Sequence, residues 1–311
     1  MKLGFGKYFT GLELNESSVK MAQVAKGKRG WRLIRFGSVP FPSEALDLSY
    51  SKRNIVDYPL FLDTLREAMN LAEGRVTRVG LSLPNEIIKL SIYGFEDLPE
   101  TEDRILQMIG WKEKETVPFP VGNAKIAYFP LFRLRSTNQK GLLAAIGLKD
   151  IIREYETSLR RMKLRPEIVQ PAAVNHLNFY LSQLDAPGYV GFFGLFEDFF
   201  SFFVFEEGRL VFYRGKRKAP SFLRFLHEID LTIELFLREN PDKTINRLYL
   251  GSQIGSMHDL VSEIEDLYNI ESSFLDAGES ITVEDGIKKR QEKPDIASYA
   301  AAIGAAQSLA I

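Results

Sequence analysis

One order of elements is written twice along this chain, and it constrains the fold more than any single motif. Residues 8–14 read as a strand, followed by strand 19–25, a GKRG turn, strand 31–39, a polar loop, a helix near 58–73 and strand 76–83. Asn15, Gly27 and Gly30 fall between the runs, where hairpins need turn residues. The order returns as strand 189–195, a Glu197-Asp198 turn, strand 199–205, a Glu207-Gly208 turn, strand 209–215, a long helix 219–239 and strand 245–251. Such a repeat predicts two α/β halves, each a three-stranded antiparallel meander with a crossover helix leading into a parallel strand.

That description fits two ribonuclease-H-like lobes, the plan on which actin and the sugar kinases build a nucleotide cleft. At 311 residues the chain is also longer than one hydrophobic core usually serves. Helix 219–239 carries Phe222, Phe225, Leu226, Ile229, Ile233, Phe236 and Leu237 at three- and four-residue spacing, an apolar stripe for packing on a sheet. Between the halves, strand 87–95, helix 100–115, strands 124–134 and 141–148 and helix 149–162 give a different order, β-α-β-β-α, expected to form an inserted subdomain. The expected boundaries are 1–84 for the first lobe, 85–166 for the insertion and 167–294 for the second lobe, with helix 295–311 returning to the first. The polar stretch 276–294 reads as a mobile loop before that Ala-rich helix.

Charge and composition exclude several functions. With 40 basic and 41 acidic residues the net charge is −1, so no global field gathers nucleic acid or an anionic membrane. No cysteine is present, which removes disulfides, thiolate metal ligands and Cys nucleophiles, and agrees with a reducing cytoplasm. No apolar run is long enough to span a bilayer, and the opening MKLGFGKYF lacks that of a signal peptide. The expected location is therefore cytoplasmic, with any membrane association supplied by a partner. His176, His227 and His258 are scattered without ligand spacing, so no metal site is expected. GxSxG, Walker A and HExxH sequences are absent, and the paired carboxylates Glu96-Asp97 and Glu206-Glu207 sit at turns, where solvation accounts for them.

The segments GLELNESSVKMAQV, VGLSLP, ETVPFPVGNAKIAYFPL, LLAAIGLKDII, EEGRLVFYRG, RLYLGSQIGSMHDL and AAAIGAAQSLA follow one another in an order that resembles the PilM family. These are actin-like proteins of type IV pilus assembly, related to the cell-division protein FtsA; the cytoplasmic part of GspL, of type II secretion, is the nearest alternative. The resemblance implies an inserted subdomain of the same β-α-β-β-α order in place of an actin subdomain. It also implies docking on the short cytoplasmic N-terminal peptide of PilN, an inner-membrane protein, and coupling to cytoplasmic motor components.

The nucleotide motifs that such a fold uses are eroded. An actin-like ATP site needs a glycine-bearing hairpin with a preceding Asp in each lobe, and a Gly-Gly turn for adenosine. The first hairpin has Glu13 for the Asp and Asn15 for the Gly, with Asn15 expected to tolerate positive φ. Ser17, Ser18 and Lys20 remain candidates for phosphate oxygens, and equally for plain surface positions. In the second, matching the motif glycine to Gly194 puts Phe192 at the acid's position, and the turn carries Glu197 and Asp198, which repel a polyphosphate. The adenosine turn keeps Gly251 but has Ser252 and Gln253 after it. The expectation is a non-enzyme, a pseudo-ATPase in which Glu13, Asn15, Ser17, Gly194, Gly251 and Ser252 are vestiges, with no cofactor; an ATP- and Mg²⁺-dependent switch is the rival.

Binding surfaces are better represented. Phe192, Phe193, Phe196, Phe199, Phe200, Phe202, Phe203 and Phe205 point to both sides of their strands, as in a sheet covered on both faces. The run 214-RGKRK-218 suits either anionic lipid or a solvated strand end. Strand 87–95 sets Ile87, Lys89, Ser91 and Tyr93 opposite Ile88, Leu90 and Ile92, so one side is free to line a peptide groove. Trp111 and Phe119, with Val117 and Val121, give the insertion an apolar edge and complete the candidate partner-binding set.

Overall fold

The computed structural model describes residues 8–42, 45–134, 139–219, 221–255, 258–284 and 295–310. In chain order the elements are β1 (Tyr8–Leu14), β2 (Ser18–Gly27), β3 (Gly30–Pro40), α1 (Tyr58–Asn70) and β4 (Arg78–Leu83). Next come β5 (Lys89–Phe95), α2 (Glu102–Glu113), β6 (Ala124–Leu134), β7 (Gln139–Leu148), α3 (Lys149–Arg161), β8 (Arg165–Pro171) and α4 (Ala172–Tyr180). Then follow β9 (Tyr189–Leu195), β10 (Phe199–Glu206), β11 (Arg209–Arg217), α5 (Phe222–Glu239), β12 (Ile245–Ser252), α6 (His258–Tyr268) and β13 (Glu271–Phe274). The chain ends through α7 (Ala277–Ser280), β14 (Thr282–Val283) and α8 (Ala300–Ser308).

The repeat read from the sequence is real topology. One sheet runs β14-β3-β2-β1-β4-β8 and another β11-β10-β9-β12-β13, so each has a meander, then the crossover strand, then a fifth strand. β4 lies parallel to β1, with Glu13 opposite Ser82, and β12 lies parallel to β9, with Gly251 opposite Gly194. In the first repeat the insertion interrupts the step between the fourth strand and the helix α3; the second repeat has α6 alone at that step.

The chain divides into two compact units. The first comprises 1–85, 151–183 and 276–311; the second comprises 86–150 and 184–275. Three expectations are corrected by this arrangement. α3, expected as the closing helix of a β-α-β-β-α insertion, belongs from residue 151 on to the first unit. Residues 165–180, assigned to the second lobe and the end of the insertion, form β8 and α4; β8 pairs with β4 as the outer strand of the first sheet. Prolines at 166 and 171 had hidden that strand, because an edge position tolerates a residue without an N–H where a central strand does not. The stretch 276–294 is not loop throughout, since Thr282 and Val283 pair in parallel with Arg32 and Leu33; its residues 285–294 lie outside the described ones.

In the first unit α8 is buried around most of its circumference, which only small residues permit. A Cβ on Gly11 would overlap the carbonyl oxygen of Ala302, one on Gly80 that of Ala305, and one on Gly304 that of Asn175. The second unit is held by aromatic packing: Phe193 stacks on Phe202 at 4.2 Å, and Phe200 meets Phe225 edge-on at 5.7 Å. On the sheet's other face Phe203 lies 4.8 Å from Tyr213 and Phe192 is fully buried. Each such ring contributes about 1.5–3 kcal/mol by leaving water, and the phenylalanine block is core on both faces.

Candidate functional site

The three turns that carry the nucleotide motifs are closed on themselves. At the β1–β2 turn Asn15 does not adopt positive φ. Its Oδ1 instead accepts from the backbone N–H groups of Ser17 (3.0 Å) and Ser18 (2.6 Å) and from the Ser17 and Ser18 hydroxyls (3.0 and 3.1 Å). The donors that would cradle a phosphate are thus engaged by a side chain of the same turn. Glu13 is buried on β1, and Lys20, its cross-strand neighbour, donates from Nζ to the Ser298 carbonyl at 2.8 Å.

At the β9–β10 turn the Phe196 N–H donates to the Phe199 carbonyl at 2.9 Å, and Glu197 and Asp198 stand exposed. Phe192 is 0 % exposed and belongs to the sheet's packing. In the 250–255 turn the Ser252 hydroxyl donates to the Gly255 carbonyl at 2.5 Å and accepts from the Ile254 N–H at 3.3 Å; the Gln253 N–H donates to Leu195 at 2.9 Å. Ser252 and Gln253 are both buried.

Among the described residues the histidines form no cluster. His176 is fully buried on α4, and burial, with the Lys20 charge adding to it, pushes its pKa down to about 3. His227 is exposed on α5, 4.0 Å from the Asp230 carboxylate; the side chain of His258 lies outside the described residues. Among the described residues no group of three or more metal-ligating side chains occurs, and no helix is long and apolar enough to cross a membrane. The basic run at the end of β11 is partly neutralised, because Lys216 pairs with Glu228 on α5.

A groove does form on the insertion. Its sheet runs β5-β7-β6, which leaves β5 as an edge strand paired with β7 alone among the described strands. Residues 89–93 of β5, Leu90 and Ile92 as well as Lys89, Ser91 and Tyr93, line a groove of about 750 Å³, whose second wall is the C-terminal turn of α2 from Trp111 to Thr116 and which Tyr213 of β11 also lines. The floor is ionic: Lys89 Nζ lies 2.8 Å from a Glu113 carboxylate oxygen and 2.9 Å from the Thr116 hydroxyl, and that hydroxyl also donates to Glu113. Glu113 is nearly sealed from water, its side chain 3 % exposed, while Trp111 stands 77 % exposed at the rim. Among the described residues the buried Tyr93 hydroxyl has no hydrogen-bond partner.

The structure therefore brings Lys89, Ser91, Tyr93 and Trp111 together. Ile87 does not join them, because β5 begins at Lys89 and Ile87 sits in a 3-10 turn at 0 % exposure. Phe119 is half-buried and is not among the lining side chains. The sequence reading missed Glu113, Thr116 and Tyr213. For Glu113 a signal existed, an acid in a helix with Lys89 facing it across the subdomain, but pairing a strand residue with a helix residue needs the packing first.

No family model matches the chain, and no curated protein matches it. Solved structures do. The chain is similar to one from a PilM-PilN type IV pilus biogenesis complex, with a TM-score of 0.81 at 16 % identity, over 96 % of this chain and 98 % of that one. A Bacteroides thetaiotaomicron protein of unknown function with an actin-like ATPase fold matches at 0.54 and 10 % identity, covering 87 % and 91 % of the two chains. The cytoplasmic domain of EpsL, an inner-membrane component of the Vibrio cholerae type II secretion system, matches at 0.51 and 10 % identity, covering 80 % and 84 %. With its repeated meander-and-crossover sheets, of six and five strands, its β-α-β-β insertion and this agreement over nearly the whole chain, the protein has the actin-like fold in the form seen in the PilM-PilN complex.

Proposed function

We propose that the protein is a non-catalytic actin-like scaffold of a type IV pilus assembly platform, one that binds the cytoplasmic N-terminal peptide of a PilN-type membrane protein. The observation that carries this is the groove beside β5. An extended peptide can pair with the open edge of that strand while its apolar side chains meet Trp111. The similarity to a chain solved in a PilM-PilN complex supports the choice of partner. The pseudo-ATPase reading is supported by the three self-satisfied turns and by Phe192 in the core. Residence at the cytoplasmic face of the inner membrane then comes through the partner, and the protein leaves the membrane fraction in cells lacking that partner.

The test is calorimetry with a synthetic N-terminal peptide of the PilN-type protein from the same organism. Micromolar binding, about −8 kcal/mol, is expected for the wild type. Ser91→Arg, which puts a charged, long side chain into the groove, is expected to abolish it at an unchanged melting temperature. Wild-type affinity in Ser91→Arg refutes the site; absence of binding by the wild type refutes the partner. The same titration with a peptide from a GspL partner tests the secretion reading, which the EpsL similarity supports at lower coverage.

A further inference from the structure

We propose that the β5 groove is one half of a two-part site, and that the partner's segment runs on over Trp111 into a second groove on the insertion, where it places an aliphatic side chain and one or more carboxylates. This rests on the peptide reading of the β5 groove and adds to it the chemistry of the residues that flank the paired strand.

The second groove, of about 540 Å³, lies between α2 and the start of β6. Leu106, Val121 and Ile126, all half-buried, give it an apolar lining, and Gly110 lets the helix lie against Val121, since a Cβ there would come within 2.8 Å of that side chain. Lys114, Lys125 and Lys149 also line it, all three exposed, and none of its lining residues is acidic. Lys149 Nζ donates to the Gly122 carbonyl at 2.9 Å, which holds the ammonium at the rim without neutralising it. An apolar lining under lysines selects against a cationic occupant and favours a segment that combines an aliphatic anchor with carboxylates.

The two grooves are continuous. Trp111 and Lys114 line both, so the last turn of α2 is all that separates them, and Trp111 stands on the divide, 77 % exposed. An extended chain advances about 3.3 Å per residue, so a ridge one side chain wide is crossed in a few residues. The β5 groove carries both signs of charge, with Lys89 committed to Glu113, whereas the second groove carries lysines alone among its charged lining residues. Strand pairing therefore comes from the first and selection by charge from the second. Two modest contacts made by one chain bind more tightly than either alone, because the second engages at the effective concentration that the short link sets.

Calorimetry with synthetic peptides of the PilN-type partner's cytoplasmic N-terminal segment, from the same organism, tests this. The whole segment is expected to bind about tenfold or more tighter than its shortest binding truncation, with the difference shrinking at high salt, where exposed charges are screened. Lys125→Glu with Lys149→Glu, neither of which lines the β5 groove, is expected to abolish that difference at unchanged melting, while the shortest peptide binds as it does to the wild type. Leu106→Gln is expected to act in the same direction. Exchanging the segment's Asp and Glu for Asn and Gln should cost the same factor with the wild type and nothing with the lysine variant. Whole-segment affinity that is unchanged in the lysine variant, or insensitive to the peptide's carboxylates, overturns the inference and leaves the β5 groove in place. No binding of any peptide by the wild type overturns both readings. Flotation with anionic phospholipid vesicles and sedimentation velocity cover the other occupants: vesicle binding or self-association lost in the lysine variant, with peptide affinity untouched, gives the second groove to lipid or to another copy and also overturns the inference.

Discussion

The floor of the β5 groove makes a quantitative demand. Replacing Lys89 by Met keeps the length and apolar stem of the side chain but removes the cation from Glu113, whose side chain is 3 % exposed. Breaking a buried pair on one side costs about 3–5 kcal/mol because a charge is left uncompensated. The lower end applies here, since Lys89 is itself 34 % exposed and the Thr116 hydroxyl still donates to Glu113. A loss of about 3 kcal/mol lowers the melting temperature by roughly 6–12 °C for a unit of this size. Peptide affinity should fall with it, because the pair ties the end of α2 to β5 and so fixes the groove's width. The decisive measurement is a double-mutant cycle by urea denaturation: Lys89→Met, Glu113→Leu and the double variant, with a coupling of about 2 kcal/mol or more expected. A single variant Lys89→Met within about 0.5 kcal/mol of the wild type, or additivity across the cycle, refutes the view that this pair holds the groove.

Three further outcomes follow from the structure. Gly80→Ala forces a methyl against the backbone of Ala305, so thermal unfolding should show a loss at or above the usual 1–3 kcal/mol for overpacking, while Gly30→Ala, with open space around it but φ of 114°, should cost only the about 1 kcal/mol of an unfavourable backbone. Mg·ATP titrated calorimetrically into the wild type and Asn15→Ala should give no micromolar binding in either, with Asn15→Ala less stable by about 1 kcal/mol from its lost turn bonds; Mg²⁺-dependent micromolar binding by the wild type restores the switch reading. His176, neutral when folded with its pKa down to about 3 against 6.5 when unfolded, makes the unfolded chain bind the extra proton, so stability should be complete above about pH 6.5 and decline as pH falls towards 3; His176→Leu should flatten that slope in pH-dependent denaturation, and an unchanged slope excludes His176 as its source.

The repeat, the order of the insertion and the extents of most strands were legible in the sequence because they rest on local periodicity. Alternating apolar residues with Asn, Gly or charged turns between them define β1 to β3 and β9 to β11, and the three- and four-residue spacing of Phe225, Ile229, Ile233 and Phe236 defines the buried side of α5. The loss of the acid at Phe192 was equally plain, since no packing gives a phenyl ring a metal-binding oxygen. β8 was not legible, because two prolines deny it the pattern of a strand and only the edge of the first sheet makes them acceptable. Nor was the state of Asn15: the residue type allowed positive φ, but the position of the Ser17 and Ser18 donors turned its side chain into the turn's own acceptor. The partner strand was half legible. Alternation placed Lys89, Ser91 and Tyr93 on one side, whereas the burial of Ile87, the sealing of Glu113 under Lys89 and the arrival of Tyr213 from β11 depend on residues far apart in the chain. Local sequence sets which backbone form each segment prefers, and contacts between distant segments decide which of its side chains are left to meet another molecule.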